Sequence, residues 1–268
     1  MLKRFFTILA VTALAAMVIV GCKKDKDNTT DKLTEKIIGK WITIDVDGQA
    51  ELTNNKSVIT FLSATQAIIS TSRSDLSENQ GWVSHLNASV AINGNKVTIT
   101  GQTNEHITII YEITVRSITT TNMEGTFRHN TLRDGEVIST HGPMEMRWMK
   151  ITADYQQTIL GKWQGHVTSE HSEFDDGEDH QWEYLADGTF RYYLQDEGGY
   201  WVTNPNQTLS QYFVDGTLLC TRWVIDGTVN REWWEIASIN NGVMNWTALR
   251  QDENGQRYTA TFSMTKVN

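Results

Sequence analysis

The tripeptide Gly39-Lys40-Trp41 returns as Gly161-Lys162-Trp163, 122 positions later (163 minus 41). A self-similarity of this period fixes the number of hydrophobic cores before any other reading, because each copy must bury its own apolar face. The lead-ins agree, Ile37-Ile38 before the first copy and Ile159-Leu160 before the second. Each follows about two turns of polar residues that fit a short helix. Downstream, Tyr111-Glu112-Ile113 is echoed by Trp234-Glu235-Ile236, and Ser117-Ile118 with Met123 recurs as Ser238-Ile239 with Met244 at an offset of 121 (244 minus 123). The repeat predicts two domains, 32–153 and 156–268, parting near 152–157; each is in the common size range for a domain.

Ten Trp, eight Tyr and eight Phe against two Pro favour strands over helices. In the first copy, apolar alternation and turn residues predict strands at 40–46, 57–61, 66–70, 82–92, 96–100, 106–117, 125–130 and 144–151. Asn93-Gly94 is the strongest hairpin signal among them. The second copy is punctuated by Asp187-Gly188, Asp215-Gly216, Asp226-Gly227, Asn241-Gly242 and Asn254-Gly255. They separate strands at 182–185, 189–194, 211–214, 217–223, 231–238, 243–250 and 256–265, which with the Gly161 strand make about eight. Short strands joined by tight turns leave no room for crossover helices, so the expectation is an all-β chain of two antiparallel up-and-down barrels.

Residues 1–21 precede the first barrel as a separate element. Lys3-Arg4 followed by an apolar run over 5–20 reads as a signal peptide, the run being short for a membrane span. Ile19-Val20-Gly21-Cys22 resembles the bacterial lipobox, which implies that Cys22 becomes a lipidated first residue on the outer membrane. Residues 22–31 open with a Lys/Asp-rich, apolar-poor run and read as a solvated tether; that run resembles the surface-export signals of Bacteroidetes lipoproteins. With Cys22 lipidated, Cys220 is the only remaining thiol, no intramolecular disulfide can form, and its strand-like surroundings make it a core residue.

Several motifs together are similar to the lipocalin-like domains of Bacteroidetes lipoproteins. They are the opening Gly-Lys-Trp, the hairpin Tyr184-Leu185-Ala186-Asp187-Gly188-Thr189-Phe190, the strand start Gly199-Tyr200-Trp201, and Glu235-Ile236-Ala237-Ser238-Ile239 with Met244. The match covers nearly all of the second copy. The first keeps Gly-Lys-Trp, Gly81-Trp82 and the 112–123 region, but has Ser63-Ala64-Thr65 where the family has Asp-Gly-Thr. The resemblance implies lipocalin-like barrels in which Gly39, Trp41, Gly161 and Trp163 close one end beside a basic residue of the last strand. Lys150 or Arg147 and Lys266 are the candidates.

Function is less directly written. From 31 to 155 there are 11 basic and 14 acidic residues, net −3; from 156 onward there are 7 and 16, net −9. That balance disfavours a nucleic-acid partner, which requires a concentrated positive field. No nucleophile elbow, metalloprotease helix, phosphate loop or dinucleotide fingerprint occurs, so the chain is expected not to be an enzyme and to need no cofactor. The His- and acid-rich stretch 166–180 suits a hard cation or zinc by composition, but its spacing matches no standard metal loop. It reads as a solvated barrel mouth, and no metal ligand is assigned. Seven of the ten Trp lie in the second copy. Trp201, Trp223, Trp234 and Trp246 are the candidate ligand-binding residues, since a barrel of about eight strands is either filled by large side chains or holds one small ligand. Two readings follow: a barrel enclosing a small apolar or amphipathic molecule, or a surface module for glycan or protein over solid cores. An interior sealed in both barrels would favour the second.

Overall fold

The computed structural model describes residues 29–71, 82–167 and 179–267, with side chains from residue 33 onward. The expected signal peptide, Cys22, the first part of the tether, Gly81 and most of the acidic stretch lie outside the described residues. Helix α1 (Thr29–Ile37) leads into β1 (Gly39–Val46), β2 (Gln49–Ala50), a 3₁₀ turn (Thr53–Asn55), β3 (Ser57–Phe61), β4 (Gln66–Thr71), β5 (Val83–Asn93), β6 (Lys96–Gln102), β7 (Ile107–Ile118), β8 (Asn122–Arg133) and β9 (Glu136–Ile151). The second copy comprises β10 (Gly161–Val167), β11 (His180–Tyr184), β12 (Phe190–Gln195), β13 (Trp201–Thr203), β14 (Gln207–Asp215), β15 (Leu218–Ile225), β16 (Thr228–Asn240), β17 (Val243–Gln251) and β18 (Arg257–Val267).

The chain is all-β in two antiparallel barrel-like sheets, with each strand paired mainly to its neighbours in sequence. In the first sheet β1 also pairs with β9, from Lys40 opposite Ile151 to Val46 opposite Met146, which closes the cylinder. The second sheet runs β13-β12-β11-β10-β18-β17-β16-β15-β14, and no ladder joins its two ends. A single bridge between Thr189 and Gln211 and the Tyr212 N–H donating to the Gly188 carbonyl at 2.9 Å pin one end of that seam. At the other end of β12 a ladder with β13 runs from Tyr193 opposite Thr203 to Gln195 opposite Trp201, and between that ladder and the Thr189 bridge β12 is not paired with residues 204–210.

Turn chemistry sets these registers. Asp47-Gly48, Asp134-Gly135, Asp226-Gly227 and Asn241-Gly242 have positive φ at both residues, the geometry of two-residue hairpins whose twist matches the flanking strands. Two local expectations are corrected. Only the first copy has a lead-in helix, and it starts at Thr29, inside the expected tether; the second has one turn, with Ile159 N–H donating to the Tyr155 carbonyl at 3.0 Å. The Tyr111 to Trp234 echo is also two residues out of step. Bulges interrupt pairing between Val115 and Ser117 in β7 and between Ile236 and Ser238 in β16, again 121 apart (236 minus 115). A slip of two preserves which face a residue points to, so pattern alone could not detect it. The register instead makes Ile113 equivalent to Trp234 and Tyr111 equivalent to Glu232.

Each barrel has its own interior. The first is packed with aliphatic side chains such as Ile59, Ile69, Ile99 and Ile113, capped by Trp41 and Trp148. The second is aromatic, built from Trp163, Trp182, Tyr184, Trp234, Trp246 and Phe262. A third cluster joins the two copies: Ile42, Val58, Trp82 and Ile151 pack with Phe213, Leu218 and Cys220. Ion pairs rim it. Lys40 Nζ contacts Asp215 at 2.6 Å and Asp154 at 2.8 Å, Lys56 pairs with Glu235, and Ser70 donates to Asp215 at 2.5 Å.

Candidate functional site

The two repeated tripeptides build the same feature twice. Trp41 Nε1 donates to the Ile37 carbonyl and Trp163 Nε1 to the Ile159 carbonyl, both at 2.6 Å. Lys150 of β9 stands over the Trp41 ring and Lys266 of β18 over the Trp163 ring, both at 5.2 Å from the centroid. The glycines permit this approach. Gly39 and Gly161 have φ of +120° and +109°, and a Cβ there would meet the lysine Cε at 2.5 Å and 3.0 Å. Arg147 does not take this place; it pairs with Asp45 at 2.8 Å. In each barrel the tryptophan is thereby buried between the lead-in carbonyl and the lysine of the last strand.

At the other end of the second barrel lies a cavity of about 330 Å³. Strand direction places it: on β11, Tyr184 pairs with Gly161 while His180 pairs with Gly165, so His180 points away from the Gly-Lys-Trp end. Its walls are Trp182, Phe190, Tyr192, Trp223, Trp234 and Phe262, its mouth Leu194, Asn204, Gln207 and Ile225 beside the turn that joins β13 to β14, and its polar groups His180, Thr221 and Glu232. The aromatic walls are locked edge to face. Trp182 meets Phe262 at 4.9 Å and 89° and Trp246 at 5.3 Å and 66°, pairs worth about 0.5–1.5 kcal/mol each beyond their burial. His180 Nδ1 lies 2.6 Å from the Tyr192 hydroxyl.

Glu232 enters because side chains alternate across β16. Trp234 and Ile236 face the barrel core, and Trp233, between Glu232 and Trp234, packs against the cluster between the copies. The Glu232 carboxylate lies 3.5 Å from Arg250 Nη2, and the Arg250 guanidinium stacks 4.5 Å from the Trp234 ring centroid. Burial, then the Glu232 charge, holds the Tyr184 phenol well above its ordinary pKa of 10.0. Burial with a smaller push from Asp187 raises Tyr212 to about 12. Both remain neutral donors or acceptors at physiological pH.

The four candidate tryptophans are separated. Trp223 and Trp234 line the cavity. Trp246 does not; it is buried behind Trp234, at 5.4 Å. Trp201 opens the three-residue β13 opposite Gln195, partly exposed and away from the cavity wall. The sequence reading missed Trp182, Tyr192, His180 and Glu232. The usable signal was strand parity in β16: Trp234 inward requires Glu232 inward. Among the described residues no group of three or more His, Cys, Asp or Glu could hold a metal ion, and no helix is long and apolar enough to cross a membrane. Cys220 is buried and in no disulfide.

No protein-family model matches the sequence, and no curated protein matches it. Among solved structures, the transferrin binding protein B double mutant of Haemophilus parasuis Hp5 is 13% identical with a TM-score of 0.24, over 84% of this chain and 44% of that one. A protein of unknown function from Nostoc punctiforme PCC 73102 is 11% identical with a TM-score of 0.27, over 88% and 98%. Transferrin binding protein B of Neisseria meningitidis is 8% identical with a TM-score of 0.24, over 82% and 60%. The chain thus spans less than half of the Haemophilus protein and under two thirds of the Neisseria one. At such scores these similarities carry no inference about ligand or partner.

Proposed function

We propose that this protein is a non-enzymatic binding module of the bacterial envelope, lipid-anchored through Cys22, whose second barrel holds a small apolar or amphipathic molecule. The cavity carries this reading. It has the size of a small-molecule site, six aromatic side chains line it, and a few convergent polar groups orient what enters. The unpaired stretch between β12 and residues 204–210 supplies a route in. The filled interior of the first barrel suits a scaffold that presents the second.

Neutral N-phenyl-1-naphthylamine tests the site directly. Titrated into the mature chain, it should gain fluorescence in a saturable one-to-one manner while quenching Trp223 and Trp234. No saturable response from that probe or from 1-octanol would overturn the enclosed-ligand reading and favour a surface-binding role. For the anchor, Cys22→Ala should abolish palmitate incorporation and release the protein from the membrane fraction; unchanged fractionation would remove it.

A further inference from the structure

We infer that the molecule held in the second barrel is an organic cation, an amine or quaternary ammonium carried on an apolar body. This rests on the proposal that the cavity is a ligand site. An inward carboxylate on a barrel strand has to be explained, because desolvating a charge is unfavourable unless something compensates it. The fold does not require one at this position. The equivalent residue of the first barrel is Tyr111, buried and packed edge to face on His129 at 5.1 Å and 90°. The equivalent of His129 at the same offset is Arg250. An aromatic pair that fills the first barrel is thus replaced by Glu232 and Arg250, and there the second barrel is hollow.

Arg250 compensates Glu232 only in part. Their 3.5 Å separation is longer than the roughly 2.7–2.9 Å of a well-made charge-assisted hydrogen bond. The guanidinium is meanwhile committed to the Trp234 face. The carboxylate therefore faces a chamber whose other walls are the π-faces and edges of Trp182, Trp223, Tyr192 and Phe190. Ring quadrupoles attract a cation, and the attraction strengthens when water is excluded. A carboxylate beside such rings adds charge selectivity: an anionic head would meet Glu232 and be repelled. The net −9 of residues 156–268 extends the preference to the approach path.

The test compares octyltrimethylammonium, 1-octanol and octyl sulfate, each below its micellar range, as competitors of N-phenyl-1-naphthylamine on the mature chain. The cation should bind about tenfold more tightly than octanol, and octyl sulfate more weakly than both. Glu232→Gln, nearly isosteric, should bring the tenfold preference for the cation over octanol to within about twofold of unity; an unchanged circular-dichroism spectrum and thermal midpoint show that the variant is folded. Octanol or octyl sulfate competing as well as the cation, or an unchanged cation preference in Glu232→Gln, would overturn the inference and leave the apolar site standing. Failure of all three to compete would overturn the site itself.

Discussion

Asp215 is the residue on which the two copies are most directly tied, because its buried carboxylate accepts from Lys40 and Ser70 of the other copy. Burial disfavours the Lys40 charge, but hydrogen bonds to Asp154 and Asp215 outweigh it and leave the pKa raised above 10.5. A raised lysine pKa stabilises the fold fully below the unfolded value and loses that contribution only as pH climbs through the folded one. The pairing is therefore intact across neutral pH. Asp215→Asn should cost about 3 kcal/mol by denaturant unfolding, the lower part of the range for a broken buried pair, since Lys40 keeps Asp154. The penalty should be the same at pH 7 and pH 9. A penalty that disappears at pH 9 would mean that Lys40 is not held charged there.

At the scale of elements, the seam between β12 and β14 decides whether the second barrel is accessible. Ile225 ends β15 opposite Gln207 and lines the mouth. Ile225→Trp adds a bicyclic ring where the strands already part, so it should block entry without overpacking a sealed core. Affinity for N-phenyl-1-naphthylamine should fall at least about tenfold, with the thermal midpoint moving by no more than about 2 °C; unchanged affinity would place the entrance elsewhere. The strands themselves were legible, because aspartate or asparagine followed by glycine marks hairpins whose positive φ few other residues accept. The seam was not. Whether β12 pairs with β14 depends on the non-adjacent residues Thr189 and Gln211, and nothing local in either segment encodes that pairing. The cavity was half legible for the same reason: Trp223 and Trp234 could be named from composition, whereas His180 and Glu232 required knowing which faces converge.

For the molecule as a whole, the repeat that announces two cores conceals that they are packed together through a third apolar cluster. Ile42, Val58, Trp82, Phe213, Leu218 and Cys220 lie on the outer faces of their barrels, where alternation predicts solvent, yet they are buried. A strand apolar on both faces reads the same whether a second domain, a ligand or another chain covers it, so the sequence could not show this contact. Interfaces between domains of one chain are commonly polar and mobile, but this one has an apolar centre ringed by Lys40–Asp215, Lys56–Glu235 and the Leu249 N–H donating to Thr53 Oγ1 at 2.8 Å. Separated copies would expose Phe213, Leu218 and Trp233, so a fragment of residues 156–268 is a poor reporter of ligand binding. The intact chain should unfold in one calorimetric transition whose van't Hoff and calorimetric enthalpies agree. Leu218→Asp puts a carboxylate against Ile42, Val58 and Ile151 without entering either barrel interior. It should split the endotherm into two, with the ligand-bearing second barrel shifting alone when octyltrimethylammonium is added. Two transitions in the unsubstituted protein would show that the copies are coupled only by the chain.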